Sequence, residues 1–103
     1  MSREITISTN DVGEDFLDQL EKIIKIRMDK RKIYGDTYLT DDKTFLLAQL
    51  NNKIKRLSMH ITNNTSFNDI EKAQDNCLDA AIYALFLNSV IEGKIHDKTN
   101  SIS

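Results

Sequence analysis

The stretch DIEKAQDNCLDAAIYALFLNSVIE, residues 69–92, decides the fold. It reads as one helix, with no proline and no glycine until Gly93 stops it. Its second half, AAIYALFLNSVI (residues 80–91), has only Asn88 and Ser89 polar among twelve residues. A surface helix shows one apolar stripe, whereas a helix apolar nearly all round is covered on several sides. Twelve residues are too few to cross a bilayer, which takes about 20. The segment is therefore expected as a central helix, covered by the rest of the chain or by a second copy of it. A face through Ile70, Ala73, Cys77, Ala81, Ala84 and Leu85 is expected to form the chain's own core. A second face, through Asp75, Asp79, Ile82, Phe86 and Val90, needs cover from elsewhere, so a homo-oligomer is expected. A tail folded over that second face is the alternative.

Upstream of this helix lies the polar linker HITNNTSF, residues 60–67, in which Ser66 and Asp69 have the spacing of a capping box. Before it, Leu47, Leu50, Ile54, Leu57 and Ile61 recur at helical steps and predict a helix over about 42–59, capped by Thr40 or Asp41. A further helix is expected over about 14–33, where Phe16, Leu17, Leu20, Ile23, Ile24 and Met28 make an amphipathic stripe. Tyr34-Gly35-Asp36 breaks that helix, with Gly35 suited to the left-handed position after a helix end. The loop over 36–40 carries Tyr38 and Leu39 and should pack down. Residues 3–8 alternate like a strand, but no second strand signal exists to pair with them, and a lone strand is not stable. The expected organisation is all-α: an extended N-terminal arm (1–13), three main helices in an antiparallel bundle (14–93) and a polar, flexible tail (94–103) that includes His96.

Composition narrows the function classes. The 103 residues make one domain, small enough that assembly would stabilise it. A hydrophobic content of 40% and a charged content of 29% are those of an ordinary globular chain. The net charge of -2 argues against bulk nucleic-acid binding and against docking on an acidic membrane. Cys77 is the single cysteine, so it makes neither an internal disulfide nor a zinc site, and it is expected as a small reduced core residue. The opening MSREITIST lacks the apolar core of a signal peptide, and the expected location is the cytoplasm.

Three groups of residues carry chemical promise. Lys25, Arg27, Lys30, Arg31 and Lys32 crowd the last turns of the first main helix, either against the negative end of the helix dipole or as a phosphate-facing edge. Gln49, Lys53, Arg56 and His60 form a row on the flank of the second helix. Their cations either snorkel over the apolar seam or hold phosphate, with Arg giving a forked contact and Lys a point charge. Asp75 and Asp79, at i,i+4 on the third helix, share one side with Glu71. Carboxylates so spaced can share Mg²⁺ together with phosphate oxygens, or can pair with Lys53 or Arg56 as structural ion pairs. No Gly-rich phosphate loop, Ser-His-Asp set, HExxH motif or cysteine pair is present.

The segments KIYGD (32–36), NKIKRL (52–57) and DNCLDAAIY (75–83) follow in that order. Together they resemble the YGD … KxxRL … DxxxDxxxY pattern of the nucleotide modification associated domain family, small proteins mostly of phages and bacteria. The resemblance covers about 16–92. That family is in turn similar to the all-α NTP pyrophosphatases of the MazG and dUTPase type. The resemblance implies a helical oligomer that binds nucleotides with Mg²⁺. The departures matter: Gln49, Asn52 and Asn76 stand where the pyrophosphatases carry acidic residues. Amides carry no charge and are not useful bases at neutral pH.

The reading is a nucleotide-binding helical protein of phage type, acting in nucleotide or modified-nucleotide metabolism. Lys53, Arg56 and His60 are candidates for phosphate, and Tyr34, Gly35, Asp36 and Tyr83 for the base or its pocket. Asp75, Asp79 and Glu71 are candidates for Mg²⁺. One alternative is a Mg²⁺-dependent NTP pyrophosphohydrolase that takes its missing carboxylates from Glu71 or a neighbouring subunit. Another is a non-enzymatic counter-defence protein that sequesters a signalling nucleotide or blocks a host protein.

Overall fold

Among the described residues of the computed structural model four helices follow one another: α1 (Thr9–Val12), α2 (Glu14–Tyr34), α3 (Lys43–Asn63) and α4 (Phe67–Ile91), with a 3₁₀ turn (Thr37–Thr40) between α2 and α3. The structure describes residues 2–63 and 67–93, without the side chains of 63 and 67–71. Among the described residues there is no strand, and no helix is long and apolar enough to cross a membrane.

Local chemistry sets the helix ends. The Ser8 hydroxyl accepts from the Asn10 amide while Asp11 accepts from the Ser8 amide, a reciprocal cap that winds α1 out of the expected arm. Asp42, rather than Thr40 or Asp41, starts α3, because its carboxylate accepts from both the amide and the hydroxyl of Thr44. Those donors, the hydroxyl first, hold the Asp42 carboxyl below its ordinary value. Gly35 ends α2 at φ +62° and ψ -138°. Its φ is positive as expected, but its ψ lies far from the left-handed helix, in a region that glycine alone occupies without strain.

The long helices pack unequally. α3 packs most extensively on α4, where Lys53 meets Asp79, and Leu46, Ile82 and Tyr83 line one cleft. α2 touches α4 more sparsely, and none of its side chains is buried. Among the described apolar side chains only Leu46, Ile82 and Val90 are buried.

Two expectations about faces are corrected. Of the α4 face assigned to the chain's own core, Cys77, Ala84 and Leu85 are exposed and Ala73 and Ala81 half-buried, while the Ile70 side chain lies outside the described residues. Of the face assigned to a partner, Ile82 and Val90 are buried and Asp79 and Phe86 half-buried within the chain itself, and Asp75 alone is exposed. On α3 the seam runs through Leu46, Leu50, Lys53, Leu57 and His60, and not through Leu47, Ile54 and Ile61, which are exposed. The cause is visible on α3. The heptad-spaced row Leu46, Lys53 and His60 lies beside the wholly apolar row Leu47, Ile54 and Ile61, and the one containing Lys53 faces inward, where Asp79 stands opposite to receive its charge.

A Cβ on residue 35 would meet nothing within 4 Å, so a Gly35→Ala substitution has only the backbone strain to reckon with. That strain is expected to cost about 1–3 kcal/mol in urea unfolding, with the helix content of the folded state unchanged.

Candidate functional site

A cleft of about 270 Å³ opens where the end of α2, the 3₁₀ turn and the start of α3 meet the middle of α4. Arg27, Lys30, Tyr34 and Gly35 come from the α2 side, and Tyr38 and Asp41 from the turn and its exit. Phe45 and Leu46 come from α3, and Asp79, Ile82, Tyr83 and Phe86 from α4.

The α2 side is held by one guanidinium. Arg27 donates to the Gly35 carbonyl at 3.1 Å and to Asp36 at 2.5 Å. Its charge centre lies 5.2 Å from the ring centroids of both Tyr38 and Phe86, within cation–π range. Those two rings are stacked at 4.0 Å and 9°, and Tyr83 meets Phe86 edge-on at 6.0 Å. A stacked pair and an edge-on neighbour are favoured arrangements of aromatic quadrupoles. Arg31 adds a two-pronged contact to Asp36, with both bonds at 2.9 Å. The Arg31 donors, followed by Arg27, hold the Asp36 carboxyl below its ordinary value, and Asp36 raises Arg31 in return.

The opposite wall carries an ionic bridge. Asp79 meets Lys53 at 3.2 Å and Lys30 at 3.9 Å, so one carboxylate links α2, α3 and α4. Lys53 and Asp79 are both about one-fifth exposed, while the Lys30 side chain is 57% exposed and stands at the cleft mouth.

The candidate residues of the sequence divide accordingly. Tyr34, Gly35, Asp79 and Tyr83 line the cleft together. Asp36 is occupied by the two arginines beside it. Lys53 supports the cleft from behind, through Asp79. Arg56 and His60 belong to later turns of α3 and do not line it. Asp75 is exposed one turn before Asp79 and does not line it either. The Glu71 side chain and residues 94–103, with His96, lie outside the described residues.

Among the described residues no group of three or more His, Cys, Asp or Glu side chains comes together as a metal cage. The carboxylates that line the cleft are Asp41 and Asp79, the latter already bonded to two ammonium groups. This donor set does not by itself fit a resident divalent ion.

Sequence reasoning missed Tyr38, Phe45, Phe86 and Asp41 as cleft residues. The basic end of α2 did signal Arg27 and Lys30. Nothing in the sequence brings Tyr38 onto Phe86, because they are 48 positions apart and meet only where the 3₁₀ turn packs on α4. No family model, curated protein or solved structure matches the chain.

Two measurements check the polar framework. Asp79→Asn leaves the part-buried Lys53 ammonium without its charge partner and is expected to cost about 1–3 kcal/mol. The lowered Asp36 value makes a contribution that is present above the ordinary carboxylate value of 3.8 and disappears as pH falls through the folded-state value. Asp36→Asn should therefore be less stable than the parent at neutral pH, with the gap closing in acid unfolding below about pH 4.

Proposed function

We propose that the cleft binds a nucleotide, with the base among the aromatic side chains and the phosphates at the cationic mouth. The observation that carries this reading is the convergence of Tyr34, Tyr38, Phe45, Tyr83 and Phe86 with Arg27 and Lys30 around one opening. Every base has a π-face, and base–aromatic stacking contributes about 1–3 kcal/mol per base. Tyr34, which is exposed, and Tyr83 on α4 both line the cleft and offer ring surface to a base. Lys30, loosely held by Asp79, can turn its ammonium toward a phosphate without leaving a buried charge behind. The volume lies just below the roughly 300–1,000 Å³ of drug-sized ligand pockets. It suits the base-bearing part of a nucleotide, with the phosphates projecting outward.

The resemblance of the YGD and DxxxDxxxY segments to a nucleotide-associated family supports the same reading, since Tyr34, Gly35, Asp79 and Tyr83 are among their matched residues. In this account α2, α3 and α4 act as an antiparallel bundle framing the cleft, in a protein of nucleotide or modified-nucleotide metabolism. Binding rather than hydrolysis is favoured, because Gln49, Asn52 and Asn76 supply no charge where a pyrophosphohydrolase needs carboxylates. Mg²⁺ would arrive with the phosphates rather than wait in a preformed site, and Asp41 and Asp79 are the carboxylates within the cleft to meet it.

The test is a thermal-shift and calorimetric screen against nucleoside mono-, di- and triphosphates and cyclic nucleotides, with and without Mg²⁺. A ligand at 100 times its Kd adds about 2.7 kcal/mol, a shift of several degrees for a chain of this size. Tyr83→Ala is expected to weaken binding about 5- to 150-fold, the loss of one stacking contact. Arg56→Ala, off the cleft, should leave it unchanged. No shift with any nucleotide, or a loss on Arg56→Ala with Tyr83→Ala silent, overturns the reading.

A further inference from the structure

Four charged side chains line the cleft: two cations, Arg27 and Lys30, and two carboxylates, Asp41 and Asp79, whose formal charges cancel. What each can give a ligand differs. The Arg27 charge is met by Asp36, and its fork is bonded to that carboxylate and to the Gly35 carbonyl. Arg31 is bonded two-pronged to Asp36 and Lys53 is bonded to Asp79 at 3.2 Å, and neither lines the cleft. Lys30 remains. It is 57% exposed, and its contact with Asp79 at 3.9 Å is the longest ion pair among the described residues. An ammonium has three donors, so this one can take an oxyanion at little cost.

The backbone adds no anion cradle. A helix N-terminus beside a cleft binds anions readily, because its amides are unbonded and the helix dipole favours negative charge there. α3 begins beside this cleft, with Asp41 and Phe45 in the lining, but Asp42 has already taken the amide and hydroxyl of Thr44. α2 presents its opposite, C-terminal end, with Tyr34 and Gly35 in the lining, and that end disfavours anions. Asp41 is half-buried, and among the described residues its carboxylate has no hydrogen bond or ion pair. Its charge therefore acts undiminished on whatever enters.

We infer, resting on the nucleotide reading of this cleft, that its preferred ligand is a nucleoside monophosphate. The base lies on the aromatic side chains, and the single phosphate takes the Lys30 ammonium in one charge-assisted bond, of the stronger class of hydrogen bond. Each further phosphate adds negative charge and meets the Asp41 carboxylate, with no uncommitted cation in the cleft lining to pair it. Mg²⁺ changes the balance for a triphosphate, because a hard cation can join phosphate oxygens to one or two carboxylates. The order of affinities without Mg²⁺ is thus the preference of the chain's own residues.

Calorimetry of the full chain at low ionic strength tests this, with adenosine, AMP and ATP and then the matching guanine, cytosine and thymine series. Without Mg²⁺ the monophosphate should bind about tenfold tighter than its nucleoside, the effect of one hydrogen bond between charged groups. The triphosphate should bind several-fold more weakly than the monophosphate. Adding Mg²⁺ should close that gap and leave the monophosphate unchanged. Lys30→Gln should remove the advantage of AMP over adenosine. Asp41→Asn, which keeps the side-chain shape, should tighten ATP without Mg²⁺ and leave adenosine unchanged. Circular dichroism checks that both variants fold, and the parent series decides the question even where one does not. A triphosphate that matches or exceeds its monophosphate without Mg²⁺ overturns the inference and leaves the cleft reading standing. So does a nucleoside as tight as its monophosphate, or an ATP affinity that a folded Asp41→Asn leaves unchanged. Saturable binding of nothing in the series overturns the inference and the cleft reading together.

Discussion

The Arg27 guanidinium holds together parts of the chain that otherwise have little reason to stay in register. None of the α2 side chains is fully buried, and Leu17, Leu20, Ile23 and Ile26 are only half-buried, so apolar burial fixes this helix on α4 only in part. Arg27 supplies what is missing, because one planar cation bonds the Gly35 carbonyl and the Asp36 carboxylate while lying against the Tyr38–Phe86 stack. A lysine could offer the charge, but not the fork and the flat face together. The turn after α2, the aromatic wall and the placement of Lys30 over Asp79 all follow from where that group sits. Asp36 therefore serves as the anchor of the turn, which accounts for its place in a YGD segment better than contact with a ligand does.

The α3–α4 seam is organised by a different polar decision. Two rows on α3 satisfy helical periodicity, Leu47–Ile54–Ile61 and the mixed row Leu46–Leu50–Lys53–Leu57–His60. The row that turns inward has a lysine in its middle, and Asp79 receives it at 3.2 Å. Taking a charge pair partly out of water is stabilising only with good geometry, but it discriminates strongly between registers, because any other register leaves a charge unpaired. The same choice leaves Leu47, Ile54 and Ile61 on the outside, so the ion pair that sets the hairpin also creates its uncovered face.

Much of the secondary structure was legible in the sequence, and the faces were not. The long helices were readable because proline is absent, glycines punctuate the chain and apolar residues recur at helical steps. The extent of α3 to Asn63 was underread, since a polar linker composition does not stop a helix that is packed on its neighbour. The cap at Ser8 and Asp11 winds part of the expected extended arm into a turn of helix, which strand-like alternation over 3–8 does not reveal. The α4 faces were assigned by hydrophobicity alone, which cannot rank two apolar sides of one helix. Tyr34, Gly35, Asp79 and Tyr83 were reachable from motif spacing. Tyr38 and Phe86 were not, because their stacking depends on how the 3₁₀ turn docks on a helix distant in sequence. Arg56, His60 and Asp75 share helix sides with true cleft neighbours but lie a turn too far along.

The most direct test of the central claim, that this cleft is the ligand site, is an amide-resolved NMR titration of the full chain with ATP and Mg²⁺. The account predicts shift changes concentrated at Lys30, Gly35, Tyr38, Asp79 and Tyr83, with Arg56 and His60 still. Changes centred on Arg56 and His60, or no saturable change with any nucleotide tried, would contradict it.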